Sequence, residues 1–344
     1  MRESTDGTWG GWPRSLKAIC RRAWEIAGTE SALRAALFLA KAVRDARSAE
    51  AWLTFLSAFE QKHYLAPASL ETVAKPFGNY AAWRLSSSRR VSMLLSHYSL
   101  LAMTMPTVLS TIWSGASVEL GYLEGKRGQR YRLTLDPARH NYKEGELSVT
   151  LTDAADGLEL AKLTFLFIIL RDSGEPALLI GGLQGPSAYC QADAKTRIVS
   201  ATRALSGLRP KMAVFEAASA FAIATGSKSL HAVSNRTHTI NADAPYQRRK
   251  MYADYDAFWI ERGGMPGEFG FKLPLKVEPK SQGPCRNEQR AQVSRLVYRL
   301  FELSVNTEQD ELSLAIADSR SPVSHSRLEL KSTTIRRSKE QAAW

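Results

Sequence analysis

Gly181, Gly182, Leu183, Gln184 and Gly185 close an apolar run, so the backbone there can turn through positive φ and come close to a ligand or another segment. Further on, Arg209 and Lys211 flank Pro210, which suits the first position of a helix that Gly226 would end. Such a start presents unpaired N–H groups and the positive end of a dipole, and two cations beside it make an anion or phosphate site without a Walker-type motif. Asn235 and His238 follow in "SNRTH", at the exit of a short apolar segment. His238 is either a general base beside a cleft or an ordinary loop residue. Glu144 and Glu146 flank Gly145, and strand alternation would put both on one face, to hold a cation or to act as acid and base; a solvent-facing turn is the other reading. His231 and His238 lack a third ligand at metal-binding spacing. There is no G-x-S-x-G elbow, and Cys190 has no evident partner, so nucleophilic hydrolysis has little to stand on.

The residues around these groups bound the class of protein. The chain of 344 residues, 44% hydrophobic, is long enough for one large domain with extensions or for two. Its longest compact apolar run, "LTFLFIIL", is of strand length, and no window approaches a spanning helix. The N-terminus lacks an apolar signal core. The three cysteines, Cys20, Cys190 and Cys285, have no C-x-x-C spacing, so neither a disulfide framework nor a zinc site is implied and a cytoplasmic location is expected. Lys and Arg number 46 against 34 Asp and Glu, a net charge of +12 that favours phosphates, nucleic acid or anionic headgroups as partners, or else describes a solvated basic surface. "YQRRKMYADYDAFW" interleaves Arg248, Arg249 and Lys250 with aromatics, as a nucleic-acid surface would; at helical spacing Tyr252, Tyr255, Phe258 and Trp259 share one face, as a core would.

Residues 1–110 carry apolar positions at spacings of three and four and predict a helical region, with Pro106 as a stop. From Ala116 the pattern turns to β-branched and alternating runs, "SVELGYLE", "QRYRLTLD", "GELSVTLTD", "LELAKLTFLFIIL" and "PALLIGGL", parted by short turn signals; this predicts an antiparallel meander. Helices return with Asp193 as an N-cap and again at Pro210, and strands resume at "SLHAV" and "GFKLPL". A helical extension is predicted over 281–317 and a poorly ordered tail over 318–344.

Several of these blocks together resemble the VirK/YbjX family of bacterial proteins: "LLSHY" (94–98), "KEGELSVTL" (143–151), "LTFLF" (163–167), "IGGLQGP" (180–186), "TRALSGLRPK" (202–211), "AVSNRTH" (232–238) and "YADYDAFWIERGG" (252–264). The resemblance implies a cytoplasmic bacterial protein linked to virulence, envelope stress and resistance to cationic antimicrobial peptides; it names no catalytic residue. More distantly, the order of strand, turn, helix from Pro210, strand, Asn235 and short helix with Tyr255 resembles the back half of the GNAT acyltransferase fold. The glycine-rich loop of that fold is replaced here by Gly207-Leu208-Arg209-Pro210-Lys211, and an extra helix separates it from Gln184-Gly185.

The fold expected is therefore α+β, a helical N-terminal region packed on a mostly antiparallel GNAT-like mixed sheet, with residues 111–280 as the GNAT-like domain. Two functions follow. One is acyl transfer, or binding of acyl-CoA or a phosphorylated ligand, with cofactor contacts from Leu183, Gln184, Gly185, Arg209, Lys211 and Asn235 and with His238 or Glu146 as the base. The other is a non-enzymatic regulator that binds RNA or a protein partner through its basic surface.

Overall fold

The computed structural model describes residues 14–29, 31–186, 191–242, 254–275 and 284–319. Met1–Val305 makes one compact unit and Asn306–Trp344 another. The tail expected to lack order lies outside the described residues from 320 on, as do Arg248, Arg249, Lys250 and Tyr252.

The described residues up to Thr104 are mainly helical, as their periodicity predicts: α1 Arg14–Thr29, α2 Ala32–Val43, α3 Ala46–Lys62, α4 Leu70–Ala74 and α5 Ser87–Thr104. Side-chain oxygens of Ser31, Asp45, Ser69 and Ser86 accept the orphan N–H groups at four of the starts. Pro106 does stop α5, but it also opens α6, Pro106–Trp113. Proline lacks the N–H that the first helical position leaves unpaired anyway, so it costs nothing there.

Then come β1 Val118–Glu124, β2 Arg130–Pro137, β3 Leu147–Asp153, β4 Glu159–Ile169 and β5 Pro176–Gln184, paired consecutively and antiparallel. The chain crosses through α7 Gln191–Ala204 and α8 Pro210–Ala224 to β6 Ser229–Val233, which joins β5 in parallel. Helix α9, Tyr255–Ile260, leads to β7 Met265–Gly267 and β8 Gly270–Leu273, and α10 spans Pro284–Ser319. The result is an eight-stranded mixed sheet in the order β1-β2-β3-β4-β5-β6-β8-β7, an α+β fold in which β5 with β6 is the one parallel pair among the described strands. The three-residue β7 was not foreseen, being too short for a pattern to register.

Burial explains the sequence patterns. Strand β4 is buried on both faces from Leu163 to Ile168, hence its continuous apolar run. Helix α8 is buried almost all round and correspondingly rich in alanine; it lies over β3, β4 and β5, and Phe221 meets Phe301 of α10 on its other side. Helix α5 does something less common. The β3 ladder ends at Leu147, opposite Phe165, leaving the far half of β4 with an open edge. His97 of α5 fills it, its Nδ1 accepting the Phe167 N–H at 3.1 Å while its ring stacks on Phe167. A buried backbone donor is thereby satisfied by a side chain rather than by a strand.

Candidate functional site

The β5–β6 pairing runs only from Ala177↔Ser229 to Ile180↔Ala232, although β5 continues to Gln184 beside β4. The ladder between β4 and β5 shifts between Thr164 and Phe165, leaving Gly181 unmatched. Such a bulge turns the strand, and here β5 and β6 part just beyond it. Glycine is needed at this point because a Cβ on Gly181 would overlap the Glu144 carbonyl oxygen, and one on Gly182 would overlap the Glu144 carboxylate.

Glu144 is thus held against the parting strands. Its carboxylate accepts from Asn141 Nδ2 at 3.1 Å and from Gln184 Nε2 at 3.3 and 3.4 Å, and its Oε1 lies 3.5 Å from His238 Nε2. Both side chains are largely buried, at 12% and 7% exposure. His238 Nδ1 accepts the Ile240 N–H at 3.2 Å, so in the neutral ring the proton sits on Nε2, the nitrogen facing Glu144. That Nε2 makes no hydrogen bond among the described residues, the 3.5 Å approach to Glu144 being too long for one.

Tyr255 closes the gap from the other side. Its ring meets His238 edge to face at 5.3 Å, and its hydroxyl accepts the Leu183 N–H at 3.1 Å. Burial, reinforced by the nearby Glu144 charge, raises the Tyr255 phenol far above its ordinary value. Asn235 is the clamp that sets Tyr255 in place: its Oδ1 accepts the Tyr255 N–H at 2.8 Å, its N–H reaches Asp256 at 2.7 Å and its Nδ2 reaches Asp254 at 2.9 Å. Tyr255 and Trp259 are core residues, the Trp259 indole donating to the Val233 carbonyl at 2.9 Å.

Helix α8 starts beside this cluster, with Pro210 at its first position. Arg209 is its exposed N-cap, with no side-chain cap bond. Lys211 reaches back toward the signature turn, where a Cβ on Gly185 would touch its Cε at 3.8 Å. Burial, with a contribution from the Arg262 charge, lowers the Lys211 ammonium from its ordinary value. The structure therefore brings Gln184 and His238 to Glu144 and Leu183 and Asn235 to Tyr255, with Lys211 beside Gly185.

Glu146 belongs to a separate cluster. Its Oε1 accepts from Lys75 Nζ at 2.8 Å and from Tyr80 OH at 2.6 Å, and its Oε2 accepts from Tyr98 OH at 2.5 Å. The Lys75 and Glu146 side chains are only 8% and 5% exposed. Burial alone would raise the Glu146 carboxyl, but the Lys75 and His97 charges and the donated hydrogen bonds hold it below its ordinary value. The two glutamates that alternation placed together thus serve different partners. Glu144 sits in the turn ahead of β3, its N–H bonded to Asn141 O, and is not part of the strand's alternation. Between the clusters runs the segment from Tyr80 to Arg84, bonded to Lys143 O through Ala81 N and to Thr237 O through Trp83 N. Ala81 and Arg84 adopt φ of 61° and 66°, a left-handed conformation unfavourable for residues with a Cβ.

Lys75, Tyr80, His97 and Tyr98 carried no signal of a shared site. The "LLSHY" block contains two of them, but nothing in local spacing joins Tyr98 to a carboxylate 48 residues later. Among the described residues no group of three or more His, Cys, Asp or Glu is arranged to hold a metal, and no helix is long and apolar enough to cross a membrane.

The buried imidazoles set an acid limit on the fold. Burial lowers His97 to about 4, only partly opposed by Glu146, and lowers His231 to about 4 with help from Lys272. The unfolded rings take a proton near the ordinary 6.5 and the folded ones do not, so the unfolded state binds more protons as pH falls. Stability present above pH 6.5 is expected to drop by about 3 kcal/mol for each ring on reaching pH 4, read as a falling urea midpoint; a flat midpoint over that window would contradict the burial of both rings.

Residues 28–306 match the family model described as "Protein of unknown function (DUF535)". The chain is also 30% identical over 262 residues to the Escherichia coli (strain K12) protein printed as "Uncharacterized protein YbjX", covering 75% of this chain and 77% of that one. No solved structure matches it significantly. The matched span takes in α2 through the compact part of α10, and with it both glutamate clusters: the chain belongs to the DUF535 family, that of VirK and YbjX.

Proposed function

We propose that the Glu144 cluster is the acid–base centre of an acyl transfer from a coenzyme A thioester to an amine. The carrying observation is a buried carboxylate, oriented by Asn141 and Gln184 and facing His238, at the point where β5 and β6 part. Five antiparallel strands, one parallel neighbour and two crossover helices between β5 and β6 also support a GNAT-like reading. Glu144 is the base in preference to His238, because His238 Nδ1 is engaged by Ile240 and its Nε2 carries the proton. Glu146, bound by three donors, is poorly placed to accept another proton. The amine nitrogen attacks the thioester carbon, Glu144 takes the amine proton, the C–S bond breaks, and the departing thiolate takes that proton back from Glu144. Because the Leu183 amide is already given to Tyr255, polarisation of the carbonyl falls to Tyr255 and to His238 Nε2–H rather than to that amide. Arg209 and Lys211 at the start of α8 would hold the phosphates.

Acetyl-, octanoyl- and palmitoyl-CoA are each to be tested for thermal stabilisation. A gain is expected that disappears in Arg209→Ala/Lys211→Ala. Glu144→Gln should keep the gain but slow transfer by roughly 10²–10⁴-fold. No stabilisation by any chain length would remove the proposal. The net charge of +12 supports a second reading, a regulator that holds RNA or a protein partner; RNA affinity falling steeply with salt would favour it. The VirK/YbjX resemblance supports a setting in virulence and envelope stress for either.

A further inference from the structure

The Glu146 cluster is the floor of a cavity of about 500 Å³ between α4, α5, α6 and the turn at Pro137 to Arg139, a volume within the usual range for small-molecule sites. Leu101, Leu109, Ile112 and Trp113 form apolar wall. Ser69, Glu71, Thr72 and Arg139 add polar groups. At the floor one ring stands out. His97 is fully buried and lines the cavity, its Nδ1 is committed to the Phe167 N–H, and its Nε2 has no hydrogen-bond partner among the described residues.

With Nδ1 accepting, the neutral ring carries its proton on Nε2, so His97 offers the cavity a donor. Leaving such a donor buried and unpaired is unfavourable, a cost that a ligand's acceptor atom would remove. Lys75 lies beside it with ammonium hydrogens beyond the one given to Glu146. The floor therefore presents donors, while its carboxylate is already engaged by Lys75, Tyr80 and Tyr98.

Charge decides what kind of acceptor fits. Lys75 and Glu146 neutralise each other, and the lining charges Arg139 and Glu71 balance as well. A carboxylate or phosphate entering this space would give up its water and meet Glu146 without a surplus cation to compensate. An uncharged carbonyl on an aliphatic chain avoids that penalty, and the chain would bury itself against Leu101, Leu109, Ile112 and Trp113.

We propose that this cavity binds an uncharged amphiphile, an acyl amide or ester, whose carbonyl oxygen accepts from His97 Nε2–H and the Lys75 ammonium and whose chain lies along the α5–α6 wall. The site is separate from the Glu144 cluster and needs no thioester or phosphate, so its test is independent of acyl transfer.

The experiment is calorimetric titration of the full chain with octanamide and, separately, octanoate near neutral pH. Octanamide is expected to bind saturably and octanoate at least 10-fold more weakly. His97→Asn places its Oδ1 where Nδ1 was, keeping the acceptor for Phe167 while deleting the Nε2 donor, and should weaken octanamide about 10-fold. Ala138→Phe enlarges a lining residue whose N–H bonds the Glu146 carbonyl oxygen and not its carboxylate, and should abolish binding, with retained folding checked by circular dichroism; it decides the matter even if His97→Asn fails to fold. Octanoate binding as tightly as octanamide, undiminished octanamide binding by folded Ala138→Phe, or no saturable binding up to the solubility limit would each overturn the assignment.

Discussion

Glu146→Gln is expected to destabilise the fold by about 3–5 kcal/mol, read as a lower urea midpoint with an unchanged slope. The substitution keeps volume and some hydrogen bonding, so the loss isolates charge. Lys75 would remain 8% exposed, with its ammonium next to a neutral amide. Tyr80 and Tyr98, whose phenols burial and the Glu146 charge together raise well above their ordinary value, would exchange charge-assisted hydrogen bonds for weaker neutral ones. The cluster also joins parts of the chain that nothing local holds together: Lys75 and Tyr80 from the segment before α5, Tyr98 from α5, and Glu146 at the threshold of β3. Pairing Glu146→Leu with Lys75→Met should recover much of the loss, since an apolar replacement of a buried ion pair is often neutral or better. If Glu146→Gln cost less than about 1 kcal/mol, the pair would have to be hydrated and the cavity floor open.

The second large effect separates two adjacent glycines. Gly181→Ala would drive a Cβ into the Glu144 carbonyl oxygen, which belongs to backbone and cannot swing aside. Gly182→Ala would drive it into the Glu144 carboxylate, the far end of a side chain. Gly181→Ala should therefore cost about 3 kcal/mol or more, in the range of overpacking combined with a displaced backbone. Gly182→Ala should cost about 1–2 kcal/mol, yet displace Glu144 from Gln184 and His238 and so lose the proposed transfer activity about as completely as Glu144→Gln. Equal stability losses at the two positions would mean that the turn holding Glu144 yields as readily as its side chain. Full activity in Gly182→Ala would take Glu144 out of the mechanism.

Much of the fold was legible because its signals are local. Pro210 with Gly226 bounded α8 to within a residue or two, whereas Asp193, read as an N-cap, lies in the first turn of α7, which starts at Gln191. The five strands of the meander followed from alternation and turn residues, and the buried run of β4 from its uninterrupted apolar character. Pro106 was read as a stop, whereas it both stops one helix and begins the next. The candidate site was legible in part. Gln184 and His238 both lie against Glu144, but Asn235 works as a clamp on Tyr255, and Glu146 lies in another cluster.

What remained hidden was hidden for a physical reason. Residue types and spacing along the chain specify helices, strands and turns, because those depend on neighbours a few positions away. They also suffice for the α+β class and for the family blocks. They carry no information about where the β3 ladder stops, and it is that stop which opens the edge of β4 to His97. Nor do they show that β5 and β6 part after Ile180, which brings Glu144, Gln184 and Tyr255 together. Lys75, Tyr80 and Tyr98 meet Glu146 across 71, 66 and 48 residues of chain. Contacts at such separation exist only once the helices have closed on the sheet, so the partners of both glutamates were decided by packing.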